Sequence, residues 1–323
     1  MKKLIKVMSL LVTLLTLFPI NSAKAQDDIT VAIVTMMSHP SLDLIKDGVY
    51  EGLEAGGYVE GENMDVLYHN VEGDINMLGM VTEEVVSQEP DIIFAISTPV
   101  AQAFQNTTED IPVVLTGVRD PEDAGLVATY EEPGGNMTGV SHMTPHNVQF
   151  ELIQQFNPEA KTIGMIYTTS EDNSVAEVEQ AEATAKEMGF EFVSQGISST
   201  NDMQMVAQSL VGEVDVIFAG NDNTIASAFN TLAEVADNAG VPIITTVEEM
   251  VEQGALAGLV LSQKDIGIQN AEYGIQILEG ADPATLPVKF MDDYLFVYNY
   301  NTAENLEITL PENLTSEGVD LSK

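Results

Sequence analysis

Two stretches of this chain share one order of parts, and that repeat limits the fold more than any other feature. D-I-I-F-A-I-S-T-P-V-A-Q-A-F at 91–104 returns as D-V-I-F-A-G-N-D-N-T-I-A-S-A-F at 215–229, with one extra residue in the second copy. An apolar run of this length after an aspartate reads as a parallel strand buried on both faces. The A-x-A-F that follows has the small-then-large spacing of a helix packing back onto it. Polar residues fill the turn between them: Ser97, Thr98 and Pro99 in the first copy, Asn221, Asp222, Asn223 and Thr224 in the second. Open α/β sheets bind ligands at the carboxyl ends of their strands, where unpaired N–H groups and the helix dipole favour negative charge. Two such ends point to two lobes facing one ligand. The same residue types are also ordinary helix N-caps, so each copy taken alone leaves capping open.

The rest of the chain extends the pattern. Ile29 to Thr35 reads as a strand, followed by a turn through Ser38, His39 and Pro40 and a helix with Leu42, Ile45, Val49 and Leu53 on one face. Strands follow at 64–69, 91–96 and 111–116, with a helical repeat over 75–86. Pro133 to Thr144 is rich in glycine and small polar residues and reads as a crossover between lobes. A second lobe then has strands at 162–167, 191–193, 215–219, 241–245 and 255–261, with helices at 174–188, 202–210, 225–239 and 264–278. Tyr294 to Tyr300 is a late aromatic strand, and the tail after Leu314 is expected to be loose. The expected fold class is α/β: two doubly wound, Rossmann-like lobes with parallel sheets and a ligand cleft between them. The expected boundaries are a leader over 1–25, a first lobe over 26–140 with a possible return segment from the C-terminal region, a second lobe over 141–314 and a tail over 315–323.

Met1 to Ala25 has three early lysines, an apolar segment from Val7 to Phe18 and the small-residue site Ala23-Lys24-Ala25, the form of a secretory signal peptide cleaved before Gln26. There is no cysteine, so neither a lipid-anchored lipoprotein nor a disulfide framework is expected, and the mature protein is expected in the periplasm. The acid excess is large: 51 Asp and Glu against 11 Lys and Arg, and removing the leader leaves 7 basic residues and a net charge of −44. Such a surface repels nucleic acid and anionic lipid.

Several short runs together resemble one family: H-P-S-L-D at 39–43, G-Y-V-E-G-E-N at 57–63, S-T-P-V-A-Q at 97–102, D-P-E-D-A-G-L-V at 120–127, P-G-G-N-M-T-G-V-S at 133–141, D-N-T at 222–224 and G-A-L-A at 254–257. In order and spacing they are similar to the tryptophan/tyrosine-type ABC transporter substrate-binding proteins. The resemblance implies a type I periplasmic-binding-protein fold and a monomer that closes two lobes on a small ligand and delivers it to an ABC permease. It also implies an aromatic or other apolar amino acid as that ligand.

A zwitterion can be tested against the matched positions. Ser97 and Thr98 offer hydroxyls and a helix start to a carboxylate, Asp120 and then Asp222 offer a carboxylate to an ammonium, and Asn173 and Asn223 can bridge from the other lobe. Ser38, His39 and Thr224 fall on the same rim, and Glu248 matches a family acid. Asp120 also fits an Asp-Pro turn with no ligand role. Arg119 is the only arginine and departs from the family pattern; it reads either as a clamp for a second ligand carboxylate or as a partner of surface acids. His142 and His146 stand at metal-ligand spacing, but Pro145 between them argues that the helix begins only there, and no metal or cofactor is expected. Without tryptophan, Met36, Met37, Met143 and Tyr167 are the candidates for a pocket wall, each more simply read as core.

No nucleophile elbow, phosphate loop or H-E-x-x-H motif is present, and the adjacent Glu248 and Glu249 project about 100° apart on a helix, so an enzyme is not expected. A ligand-sensing input protein for a membrane receptor, or a binder of another solute such as a dicarboxylate, stays open. The charge carries a separate hypothesis of adaptation to a salty medium. Screening over about 3 Å at 1 M salt relieves self-repulsion, so the melting temperature should climb steadily with added NaCl. A flat curve would rule out that adaptation.

Overall fold

The computed structural model describes residues 28–322; the expected leader at 1–25 lies outside the described residues. The chain begins with strand β1 (Ile29–Thr35), helix α1 (Pro40–Ala55), β2 (Met64–Asn70), α2 (Leu78–Ser87), β3 (Ile92–Ile96), α3 (Thr98–Gln105), β4 (Val113–Thr116) and β5 (Met137–Ser141). Across the crossover come α4 (His146–Phe156), β6 (Thr162–Thr168), α5 (Asp172–Glu187), β7 (Glu191–Ile197), α6 (Met203–Leu210), β8 (Val216–Ala219), α7 (Asn223–Ser227), α8 (Phe229–Ala239), β9 (Ile243–Thr245), α9 (Glu248–Glu252) and β10 (Ala257–Val260). The last elements are α10 (Gln263–Leu278), β11 (Lys289–Phe290), β12 (Leu295–Tyr298), α11 (Tyr300–Asn305), α12 (Glu312–Thr315) and β13 (Val319–Asp320).

These strands form two sheets, ordered β11-β5-β4-β3-β1-β2 and β13-β12-β10-β9-β8-β6-β7. Every pairing in the first is parallel, and in the second only β10 with β12 is antiparallel. Set side by side, β2-β1-β3-β4-β5 and β7-β6-β8-β9-β10 have the same winding, so the sequence repeat at β3 and β8 reflects equivalent central strands. The order reverses between β1 and β3 in one sheet and between β6 and β8 in the other, which are the topological switch points where such sheets take ligands. Helices cover both faces, which is why β3 (I-I-F-A-I) is buried at every residue.

The second lobe is contiguous at its centre, but the first is not. Helix α10, expected with the second lobe, packs instead on α1, and Ile266, Ala271 and Ile277 join the core of the first sheet. Small residues make that return possible. A Cβ on Gly48 would strike the Lys264 carbonyl, and one on Gly267 would strike the Ile45 carbonyl, so the two backbones approach as only glycines allow. Asn270 ties α10 to β5 by accepting from the Val140 N–H at 2.9 Å and donating to the Val140 carbonyl. The chain thus passes between lobes three times, after β5, before α10 and after β11. Two of these passages are joined where the Tyr294 hydroxyl donates to the Met143 carbonyl at 2.9 Å.

Other details differ from the sequence expectation. The tail is tied down, with β13 added beside β12 and the Leu321 N–H bonded to the Tyr298 carbonyl. The single helix expected over 225–239 is broken at Ala228, whose φ of −115° and ψ of 16° separate α7 from α8. The glycine-rich stretch at 133–144 contains β5, so the crossover itself is only the few residues after Ser141.

Gly267→Ala should lower the melting temperature despite alanine's better helix propensity, because overpacking a close backbone contact costs about 1–3 kcal/mol. A variant as stable as the parent would mean that α1 and α10 can separate freely.

Candidate functional site

The carboxyl ends of the central strands from both sheets enclose a cavity with about 470 Å³ of empty space, its mouth included. From the first lobe, the turn after β1 contributes His39, the start of α1 contributes Ser41, Leu42 and Ile45, and the end of β3 contributes Ser97 and Thr98. Gly117 and Arg119 follow β4, and His142 stands at the first crossover. Asn173 on α5, Asn221 to Asn223 after β8, and Ala226, Val247 and Met250 face them from the second lobe.

Ser97 is held in an unusual backbone conformation, with φ 92° and ψ 155°. A side chain there costs about 1–3 kcal/mol relative to glycine, and such strain persists only where surrounding structure enforces it. Here the Ser97 N–H donates to the Thr116 carbonyl and its carbonyl accepts from Ala101, pinning the residue between β4 and α3. Its hydroxyl is buried and has no hydrogen-bond partner among the described residues. The same holds for both ring nitrogens of His39, for His142 Nδ1 and for Asn173 Oδ1. Asn223 lies beside His39 and Asn221 beside His142, neither in hydrogen-bond geometry. Buried polar atoms are normally satisfied, so a set of them around one cavity marks a site built for a polar ligand.

Of the residues singled out in the sequence, His39, Ser97, Thr98, Asn173, Asp222 and Asn223 line the cavity. Ser38 does not: it is exposed and donates to Asp43 at 2.8 Å, steadying the first turn of α1. Asp120 faces away, its Oδ1 taken by the Tyr130 hydroxyl at 2.6 Å and the Asp123 N–H at 3.1 Å, so the turn role is the one its contacts fill. Thr224 turns to Glu171, donating at 2.7 Å. Glu248 is half-buried beyond the wall, and its neighbour Glu249 reaches the first lobe, accepting from Ser41 Oγ at 2.9 Å. Of the proposed wall residues, Met36, Met37, Met143 and Tyr167 all lie outside the cavity, while Leu42, Ile45, Val247 and Met250 make its apolar side. The α1 contribution was visible as His39-x-Ser41-Leu42-x-x-Ile45, whose apolar members are indistinguishable from core spacing.

The cavity is electrically quiet. Burial holds the His39 imidazole down to about 4, against the pull of Asp43. His142 is also down at about 4, from burial and then from the Arg119 charge. Asp222 is pushed up to about 7, by burial and then by Glu171, although Thr168 and the Ile225 N–H donate to its oxygens. Arg119 is buried, which corrects the expectation of surface partners: its Nη2 donates to Gln180 at 2.9 Å, and its Nε lies 3.5 Å from Glu177 Oε1. Glu177 and Gln180 belong to α5 of the second lobe. Gln102 to Asp172 at 3.2 Å and Gln180 to Asp123 at 3.3 Å span the same gap, so the lobes are closed on each other.

Residues 30–320 match the family described as ABC transporter substrate binding protein. The chain belongs to that family. This substrate-binding protein is 37% identical over 278 residues to the tyrosine-binding protein of Clostridioides difficile strain R20291, covering 86% of this chain and 81% of that one. Among solved structures it is similar to a Streptococcus pneumoniae domain in complex with L-Trp, with a TM-score of 0.87, 36% identity, and coverage of 91% of this chain and 100% of that one. A ligand-free, open substrate-binding protein from Clostridium difficile matches at nearly the same identity, 35%, and the same coverage, but with a TM-score of only 0.70. Equal relatedness with poorer superposition on an open structure fits a difference in lobe arrangement, since the lobes of this chain are bridged by the contacts above.

Two suppressed histidines give acid sensitivity with a definite sign. Between pH 6.5 and about 4 the unfolded chain binds protons at His39 and His142 that the folded chain refuses, so stability falls as pH falls through that window. Asp222 acts oppositely, since the folded chain holds its proton between 3.8 and about 7. Melting temperatures of His142→Asn and the parent, compared at pH 6.5 and 4, isolate one histidine. The variant should recover on the order of 3 kcal/mol of the parent's acid loss, and parallel curves would refute it.

Proposed function

We propose that this protein captures an aromatic L-amino acid outside the cytoplasm, after removal of its leader, and hands it to an ABC permease. One observation carries the substrate class: a cavity between closed lobes with an apolar side and, around the rest, buried polar atoms that have no partner among the described residues. The ligands named for the tyrosine-binding relative and the L-Trp complex support the same class.

The residues divide the work by chemistry. Ser97 Oγ and the N–H groups opening α3 take the ligand carboxylate, where the helix dipole adds to the hydrogen bonds. Asn173 Oδ1, buried and left without a partner among the described residues, takes the ammonium. Leu42, Ile45, Val247 and Met250 receive the ring, Met250 with a polarizable sulfur. His39 and His142, kept neutral, each offer one donor and one acceptor without adding charge. Closure removes water and strengthens every one of these contacts.

A thermal-shift screen of the mature chain against amino acids, dicarboxylates, sugars and purines tests the reading. Tyrosine, tryptophan or phenylalanine at 100 times Kd should add about 2.7 kcal/mol, whereas hits confined to dicarboxylates or sugars would reject it. In the same screen Ser97→Gly should melt higher without ligand, by roughly the strain it relieves, about 1 kcal/mol, and should bind more weakly. Unchanged affinity would remove Ser97 from the site.

A further inference from the structure

The lone arginine lines the cavity, yet its guanidinium is engaged by side chains of the second lobe. By the segments that build each lobe, the first (28–141 and 263–293) has 27 acidic and 4 basic residues, and the second (142–262 and 294–322) has 23 and 2. Bringing them together opposes two large negative charges. Arg119 stands where they meet. Its carbonyl accepts from Ser141 Oγ at the end of β5, which anchors the backbone in the first lobe. Its guanidinium crosses to α5, reaching Gln180 at 2.9 Å and Glu177 at 3.5 Å, one helical turn apart.

The receiving side is built within the second lobe. Glu177 is 1% exposed, its Oε2 accepts from the Asn221 N–H at 2.7 Å, and its Oε1 lies 3.5 Å from His146 Nε2. A Cβ on Gly220 would sit 2.5 Å from Glu177 Oε2, so only glycine leaves room for the carboxylate. Although burial opposes ionisation, Arg119 first, then His146 and the Asn221 N–H, hold Glu177 down to about 2.

We infer that Arg119 is the closure clamp of this protein: it joins lobe to lobe through Glu177 and Gln180, and so sets how readily the lobes close, without binding the ligand's carboxylate. Separating the lobes would leave Glu177 with only its weaker partners, so the pair favours the closed arrangement against the repulsion of the acidic lobes. The inference rests on the two-lobed closing mechanism but not on which ligand is carried.

The chain has no cysteine, so an introduced pair reports closure cleanly. Gln102→Cys and Asp172→Cys replace side chains that meet across the gap at 3.2 Å. A short bis-maleimide then captures closed molecules, and the capture rate without ligand measures how often the lobes meet. Against this background, Arg119→Gln and Glu177→Gln should each slow capture by about tenfold or more, the double variant should be no slower than the slower single, and Arg119→Lys should recover part of the loss. Ligand-free melting temperatures within a few degrees of the parent exclude misfolding as the cause; should Glu177→Gln fall outside that range, Gln180→Ala, at the half-buried edge of the same contact, replaces it. Capture rates equal to the parent's would overturn the clamp. So would an Arg119→Gln that loses ligand affinity while capture and Glu177→Gln are unaffected, because the arginine would then serve the ligand directly. The ligand-free readout stays valid if the aromatic amino acids fail in the binding screen.

Discussion

A parallel strand ends with backbone groups that its neighbours cannot pair, and this structure brings two such sets of ends to one gap. Everything at the site follows from that constraint. Turns leaving β1, β3, β6 and β8 must carry short polar side chains to serve helix starts, and the winding order places these turns beside the reversal point of each sheet. Some of the side chains are consumed by the protein itself, as Asp222 is by Thr168 and Ile225, and Glu171 by Asn223 and Thr224. Those left over, on His39, Ser97, His142 and Asn173, face the cavity.

Polarity and charge are handled differently there. The walls are polar, yet the two imidazoles are kept uncharged by burial, and the nearby arginine is matched by Glu177. A zwitterion entering such a place meets fixed dipoles with little net field, which holds both of its ends without selecting for an anion or a cation. On the proposed reading, specificity then lies with the apolar side and with the volume, which Leu42, Ile45, Val247 and Met250 shape.

The fold was largely legible because its signal is redundant: apolar runs of strand length, helical spacing and one internal repeat all indicate the same layered architecture. Packing between distant segments was not. The glycines at 48 and 267 are unremarkable in sequence, and their meaning exists only once α1 and α10 lie in contact. At the site, strand-end residues were findable from the repeat, whereas the partners that occupy Asp120 and Arg119 are set by tertiary geometry. Tyr130 is ten residues from Asp120, and Glu177 is on another lobe. Nor does any sequence pattern reveal that Ser97 sits at positive φ, since serine is rarely found there.

The return of α10 to the first lobe also sets an order of assembly. Helix α1 cannot bury its glycine face until the chain has been made through residue 278, more than two hundred residues after α1 itself. The five strands β6 to β10 of the second sheet are by then already complete. The lobe that begins first is therefore the lobe that finishes its core later, and an unfinished first lobe keeps an unpaired helix face exposed for most of synthesis.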